Sequence, residues 1–324
     1  MRIAFLSRTE LNIRHLAEGM APYPVTPCRS RDELLRVLPE TDVLVVQNQG
    51  FAHHTVDAAC LAAGGQLRLV QHHGVACDAT DVEAATRLGI PVATVPGQNG
   101  RSVAEHGFYL LLALARRARA AQRLVAEGRM GELDCTELAG KTLCVVGLGT
   151  IGKLLAAMAK GFSMRVIGVR RNPGAEDPRA AGVDAVHDAE RLREALAQSD
   201  FVALALPLNR ETMGLMGDAE FRAMRPGAML VNLSRGPHVD RAALEAALAR
   251  NGIAGYATDA YWTEPADPAD PLLRDERVIV TPHMGGKSIE SIRRTIQAVR
   301  ENIERVARGE SPVNVVNASV PRRS

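Results

Sequence analysis

Apolar and polar positions alternate along this chain in two rhythms. Compact apolar runs at Arg2–Leu6, Val43–Gln47, Leu67–Gln71 and Val92–Val95 read as strands. Amphipathic stretches around Leu11–Gly19, Arg31–Leu38, Val56–Ala63 and Asp81–Leu88 read as the helices between them. Strand–helix alternation of this kind predicts a parallel sheet covered on both faces. A long helix is expected from about Ser102 to Glu127, opened by a capping box of Ser102 and Glu105. The rhythm then restarts. Strands are predicted at Thr142–Val146, Arg165–Val169, Phe201–Leu206, Ala228–Leu233, Ala254–Thr258 and Val278–Thr281. Helices are predicted at Ile151–Gly161, Ala189–Gln198, Asp218–Met224 and Arg241–Arg250. A last helix, about Ser288–Arg308, follows the final strand. The short tail Val313–Val316 cannot form a domain alone, so the last helix and the tail are expected to return to the N-terminal half.

Length and composition narrow the class. At about 100–200 residues per domain, 324 residues suit two domains with ample core, without help from disulfides or metals. Lys plus Arg number 39 and Asp plus Glu 37, a net charge of +2, so there is no basic field for nucleic acid. Aromatic residues make up 3%, too few for a base-stacking surface. The cysteines Cys28, Cys60, Cys77, Cys135 and Cys144 are scattered, which reads as reduced thiols in a cytoplasmic protein. The N-terminus lacks a signal core, and the longest apolar run, Phe108 to Ala115, falls far short of the ~18 residues a membrane span needs. The histidines, with adjacent pairs at His53–His54 and His72–His73, show no metal-ligand spacing, so no metal site is expected.

The strongest local motif is Gly147-Leu148-Gly149-Thr150-Ile151-Gly152, between the apolar run Thr142–Val146 and a predicted helix. Gly147 allows the tight turn, Gly149 admits a pyrophosphate to the backbone, and Gly152 lets helix and strand pack closely. The helix N-terminus then faces the phosphates. The next strand ends in Arg170-Arg171. An NAD site usually carries Asp or Glu there, about 20 residues past the glycines. Two arginines would instead pair with a 2′-phosphate, so NADP is the expected cofactor, with NAD possible.

Several separated motifs, in order, resemble the D-isomer-specific 2-hydroxyacid dehydrogenase family. Gly74-Val75-Ala76-Cys77-Asp78-Ala79-Thr80-Asp81 looks like its glycine-rich substrate loop. Gly89-Ile90-Pro91-Val92 and Ser102-Val103-Ala104-Glu105-His106 resemble its next signatures. Asn232-Leu233-Ser234-Arg235-Gly236, Val239-Asp240, Asp259, Glu264-Pro265 and Pro282-His283-Met284-Gly285-Gly286 complete the set. The resemblance implies two doubly wound α/β domains with a cleft between them. A flavodoxin-like substrate domain would take residues 1–98 and 287–324, and a Rossmann cofactor domain residues 99–286. The implied reaction is hydride transfer between a nicotinamide cofactor and a small 2-oxo acid/D-2-hydroxy acid pair, with glyoxylate or hydroxypyruvate reduction leading. Alternatives are another 2-oxo acid, lactate-type or bulkier, and a dinucleotide-sensing corepressor-like binding protein. Gln stands in the formate-oxidising branch where this chain has Glu264, which disfavours formate.

Such a reaction needs a cation on the substrate carboxylate, a proton donor for the developing alkoxide, and a carboxylate to support that donor. Arg235, His283 and Glu264 match these services in type and belong to the family's ordered motifs, Arg235 and His283 each just after a predicted strand. The resemblance further implies that the amides of Val75 and Ala76 bind the substrate carboxylate and that Asp259 orients the nicotinamide amide. Leu206, Pro207, Leu233 and Ser234 would line the adenosine and ribose side, and Gly285 would lie beside the cofactor. The strand Val43–Gln47 should deliver Asn48, Gln49, Gly50 and Phe51 to the pocket, Phe51 touching the substrate side group and Asn48 or Gln49 bonding a hydroxyl. Departures from the family pattern fall near the pocket: Ala76 replaces a second glycine with Cys77 beside it, Ala205 replaces a histidine, Met130 stands near a common tryptophan, and Lys287 replaces a small residue. Val103–Arg123 is apolar over a wide arc, more than one core-facing stripe requires. Together with the resemblance, this implies a homodimer.

Overall fold

A computed structural model describes residues 1–48, 51, 54–172, 174 and 182–317. The chain forms two compact units, Met1–Asn99 with Lys287–Ser324, and Gly100–Gly286. In the first unit the order is β1 (Ile3–Leu6), α1 (Glu10–Met20), β2 (Val25–Cys28), α2 (Arg31–Val37), β3 (Val43–Val46), α3 (Ala58–Ala63), β4 (Leu69–His72), α4 (Val82–Arg87) and β5 (Val92–Ala93). The strands form one parallel sheet in the order β2-β1-β3-β4-β5, a doubly wound arrangement with a switch between β1 and β3. N-caps fix where the helices start: Ser30, Asp57 and Asp81 accept the amides of Glu33, Cys60 and Ala84.

The second unit begins with α5 (Gly100–Ala115) and α6 (Ala118–Ala126). There follow β6 (Thr142–Val146), α7 (Thr150–Gly161), β7 (Arg165–Val169), β8 (Ala185–His187), α8 (Leu192–Ala197) and β9 (Phe201–Leu204). The unit closes with α9 (Asp218–Ala223), β10 (Met229–Asn232), α10 (Arg241–Ala249), β11 (Gly255–Thr258) and β12 (Val278–Val280). Its parallel sheet runs β12-β11-β10-β9-β6-β7-β8, so the strand order reverses between β6 and β9. Ligands of open α/β sheets bind at such a reversal, beyond the carboxyl ends of the strands. Both sheet faces are covered. Val146, Ile167, Val202, Leu230 and Tyr256 lie in one core, and Leu143, Val145, Val166, Phe201 and Val231 in the other.

The chain then returns to the first unit as α11 (Ile289–Ala307). Val299, Ile303 and Val306 pack with Ile3, Phe5, Ile13 and Leu16. Beyond α11, Val315 bridges Ala93 antiparallel, and the Asn317 side chain accepts the Val92 amide at 2.8 Å. The tail is therefore a brief extra edge on β5.

Two helix expectations are corrected. The long helix Ser102–Glu127 is two helices, because Arg117 adopts a left-handed backbone (φ 49°). The turn lets the Arg119 guanidinium reach the carbonyls of Leu273, Asp275 and Val278 at 2.6–2.9 Å, tertiary bonds that override a continuous helical pattern. The Ser102–Glu105 capping box does not form either. The helix already starts at Gly100, and the Ser102 hydroxyl donates to the Gly285 carbonyl at 2.7 Å. Among the described residues no helix is long and apolar enough to cross a membrane.

Candidate active site

The glycine turn lies between β6 and α7, at the centre of the second sheet. Gly147 has φ 101°, and a Cβ there would collide with the Ala205 carbonyl oxygen on the loop after β9. A Cβ at Gly152 would collide with the Gly147 carbonyl oxygen, so any side chain there would force the turn open. Gly149 differs: a Cβ would meet nothing within 4 Å. That open space lies against the first turn of α7, where the amides of Thr150, Ile151 and Gly152 have no helical carbonyl one turn earlier. A backbone accessible at Gly149 and a helix N-terminus beside it fit a pyrophosphate.

Arg170 and Arg171 follow β7. Arg170 is half-buried, and its amide donates to His187 on β8 at 3.1 Å. Arg171 is exposed and pairs with Glu211 at 2.6 Å. An ion pair between two such exposed groups contributes little to stability and can open for a better anion.

The ends of β9 and β10 are tied by one hydroxyl. Ser234 Oγ accepts the Leu206 amide at 2.9 Å and donates to the Leu204 carbonyl at 3.1 Å. Its side chain therefore shapes the loop that carries Leu206 and exposed Pro207. Leu233 packs in the core against α5, where a Cβ at Gly107 would strike it. Arg235 comes next, half-buried, with extended backbone and its guanidinium donating to the Ser234 carbonyl at 2.8 Å. Its own carbonyl accepts Asn232 Nδ2 at 2.7 Å and lies 3.0 Å from Nδ1 of fully buried His238. Two side chains thus brace the Arg235 backbone. The sequence reading missed both, since neither residue type signals such a role.

The pair expected from the sequence is formed. His283 Nδ1 lies 2.7 Å from Glu264 Oε2, and Glu264 Oε1 accepts the Tyr261 amide at 3.1 Å. A carboxylate oxygen accepts hydrogen bonds, so Nδ1 is the donor in this pair. His283 itself has φ 52°, a left-handed conformation that costs an L-residue on the order of 1 kcal/mol.

Asp259, after β11, holds the loop that carries His283. It accepts the Thr281 hydroxyl at 2.6 Å, the Met284 amide at 2.9 Å and the Gly285 amide at 2.7 Å, and His106 Nε2 lies 3.4 Å away. Burial pushes the Asp259 carboxyl pKa up. The hydrogen bonds from His106, Thr281, Gly285 and Met284 outweigh it and hold the group below its ordinary value. In sequence, His106 stands out only as part of a signature, and Ser102 as part of that signature and as an expected helix cap. Their spacing of four on a helix was the available clue that they share a face.

The substrate-type loop lies in the first unit, after β4. Among the described residues, the amides of Val75 and Ala76 donate to no protein acceptor. The far end of the loop is fastened. Asn48 Oδ1 accepts the Ala79 amide at 2.8 Å, and Asn48 Nδ2 donates to Asp78 at 3.1 Å. His72 Nε2 meets the Thr80 hydroxyl at 2.9 Å, and burial pushes the His72 pKa down to about 4, so it is a neutral tether. The two Asn48 bonds use one of the two donors and one of the two lone pairs of its amide, and fasten it to the loop. Gln49 and Gly50 lie outside the described residues. Phe51 is half-buried, with the Arg8 guanidinium 4.9 Å from its ring centroid. Burial raises the Cys77 thiol pKa, which favours the neutral thiol over the reactive thiolate.

Known proteins of one family resemble this chain in sequence and fold. A family model described as D-isomer specific 2-hydroxyacid dehydrogenase, NAD binding domain, matches residues 108–285. A glyoxylate reductase of Korarchaeum cryptofilum is 39% identical over 275 residues, covering 82% of this chain and 80% of that one. A D-3-phosphoglycerate dehydrogenase of Archaeoglobus fulgidus is 37% identical over 290 residues and 89% of this chain, which spans only 54% of that relative's length. A solved structure of a Thermus thermophilus protein superposes with TM-score 0.85 at 29% identity, over 98% of this chain and 100% of that one. The chain belongs to the D-isomer-specific 2-hydroxyacid dehydrogenase family.

Proposed function

We propose that this chain reduces a small 2-oxo acid, glyoxylate or hydroxypyruvate, to its D-2-hydroxy acid with a nicotinamide cofactor, NADPH in preference to NADH. The observation that carries this reading is the Glu264–His283 pair, at 2.7 Å, beyond the carboxyl edge of the sheet that bears the glycine turn. The first turn of α7 and Gly149 would hold the pyrophosphate. Leu206, Pro207, Leu233 and Ser234 would line the adenosine and ribose side, with Gly285 beside the cofactor and Asp259 on the nicotinamide amide. When bound, the cofactor supplies the hydride. Arg235 binds the substrate carboxylate and polarises the 2-oxo group, its fork matching the carboxylate. On the first unit, the amides of Val75 and Ala76 would bind a substrate carboxylate, and Phe51 would contact a substrate side group. His283 delivers its Nε2 proton to the oxygen that gains charge, and Glu264 stabilises the imidazolium from which that proton leaves.

A panel of 2-oxo acids, followed by nicotinamide absorbance with both cofactors, tests this. Fastest turnover on glyoxylate or hydroxypyruvate supports it. The phosphoglycerate dehydrogenase relative favours one second reading, reduction of a phosphorylated 2-oxo acid, which the same panel detects. Cofactor binding without turnover on any 2-oxo acid would point instead to a sensing protein. Phe108, Leu110, Leu111 and Leu114 of the apolar arc are buried in the chain's own core, so a homodimer through this arc would rest on what α5 leaves exposed, such as Tyr109. The composition and scattered thiols suit the cytoplasm.

The cofactor preference has its own expected result. One charge-assisted bond from Arg170 or Arg171 to a 2′-phosphate is worth about 1.5–3 kcal/mol net. That corresponds to roughly 10- to 150-fold in affinity. Glu211 competes for Arg171, which places the preference in the lower half of that range. Replacing both arginines by Ala should abolish the NADPH preference in kcat/KM and leave NADH turnover nearly intact. Equal or better kcat/KM with NADH in the unmodified protein at low salt would refute the preference.

A further inference from the structure

The loop Thr281–Gly285 carries His283 in a left-handed backbone conformation, and a conformation of that kind persists only where its surroundings fix it. The first two turns of α5 supply that fixing from one face. Ser102 donates to the Gly285 carbonyl at 2.7 Å, at one end of the loop. At the other end, four residues further along the same helix face, His106 Nε2 lies 2.8 Å from the Thr281 hydroxyl. The Thr281 hydroxyl has a single proton, and its 2.6 Å contact with the ionised, acceptor-only Asp259 takes it. The hydroxyl oxygen must then accept from His106, which fixes a directed chain from His106 Nε2–H to Thr281 to Asp259. Asp259 closes the circuit by accepting the amides of Met284 and Gly285, the residues immediately after His283. His106 and Asp259 are nearly enclosed, with side chains 12% and 11% exposed, so water is a poor substitute for either partner. A Cβ at Gly285 would come 2.9 Å from Asp259 Oδ2 and 3.2 Å from the His106 ring, which shows how closely the loop is seated on this network.

We propose that His106, acting through Thr281 and Asp259, is a positioning residue that sets the place of His283, and that the reaction depends on it although it touches neither substrate nor cofactor. This rests on the function proposed above, because it gives His283 the proton-transfer role. A displacement of about 1 Å in a reacting group can cost 10²-fold in rate, so a loosened loop should show in kcat while the proposed Arg235 contact preserves KM.

The test compares His106→Ala and Thr281→Val with the donor-preserving His106→Gln and Thr281→Ser. Amide hydrogen exchange of the segment 281–286 is measured on the protein without cofactor. kcat, KM and the pH profile of kcat/KM are measured with the best 2-oxo acid. The expected result is faster exchange at Met284 and Gly285 in His106→Ala and Thr281→Val. In these variants kcat should fall roughly 10-fold with KM within about 2-fold, and the limb of the pH profile that belongs to His283 should move. His106→Gln and Thr281→Ser should recover most of the loss. The double variant His106→Ala/Thr281→Val should be no slower than its slower parent, because both break one chain. Unchanged exchange with kcat within about 2-fold of the unmodified protein would overturn the proposal. So would a fall in melting temperature with kcat and pH profile unmoved, which would mean support of the fold alone. If the unmodified protein turns over no 2-oxo acid, the function reading has failed, and exchange at Met284 and Gly285 alone decides whether His106 holds the loop.

Discussion

Replacing His283 by Ala is expected to lower kcat by roughly 10²–10⁴, the usual yield of a positioned acid–base group. The 2.7 Å bond from Nδ1 to Glu264 supports the expectation, because it would fix the tautomer in which the proposed proton transfer runs through Nε2. KM for the 2-oxo acid should change much less than kcat, because the carboxylate contacts lie on other residues. His283 also occupies a left-handed backbone position, and Ala there adds strain that a rate measurement would mix with lost chemistry. Asn tolerates that conformation more readily. His283→Asn should therefore keep the loop and lose the rate, while Glu264→Gln, which still accepts a hydrogen bond but lacks the charge, should fall between. Near-unmodified turnover in a folded His283→Asn protein would end the assignment of His283 as the proton donor.

The parts of this site legible in the sequence share one property: each is a chemical requirement met by local spacing. The glycine turn is readable because Gly147 takes a positive φ of 101° and a Cβ at Gly152 would strike the Gly147 carbonyl oxygen, both local requirements. Central strands such as Val43–Val46 and Thr142–Val146 are readable because every residue in them is buried. Two of the four edge strands are not. Val25–Cys28 contains Pro27 and has only Cys28 fully buried, and Ala185–His187 is three residues long and half-buried throughout, so neither carries a strong apolar run. The break at Arg117 is hidden because its cause is tertiary: Arg119 seeks carbonyls more than 150 residues away. The same holds for the support of the site. Asn48 is an ordinary loop residue in sequence, and its clamp on Ala79 and Asp78 exists only once β3 and β4 are adjacent. The Ser234 hydroxyl serves the loop that carries Leu206, a commitment that sequence order does not reveal.

Replacing Arg235 by Ala should cut kcat/KM by roughly 150-fold, shared between a higher KM and a lower kcat. The figure comes from two charge-assisted bonds to a carboxylate at about 1.5–3 kcal/mol each, taken at the low end because bonds from one fork are not additive. Both parameters should move because, in the proposed reaction, the guanidinium would hold the substrate in the ground state and also fix the angle at which the 2-oxo carbon meets the hydride. The native bond from Arg235 to the Ser234 carbonyl, at 2.8 Å, steadies the side chain before substrate arrives, so part of the ordering cost of the clamp is met in the free protein. Arg235→Lys keeps the charge and loses the fork. It should recover KM more than kcat, since a point charge attracts the carboxylate without setting its orientation. The bracing of the Arg235 backbone by Asn232 and His238 predicts that neither substitution unfolds the loop, so melting temperature should stay near that of the unmodified protein. A kcat/KM for Arg235→Ala within a factor of about 3 of the unmodified protein, less than one charge-assisted bond is worth, would show that the substrate carboxylate is held elsewhere.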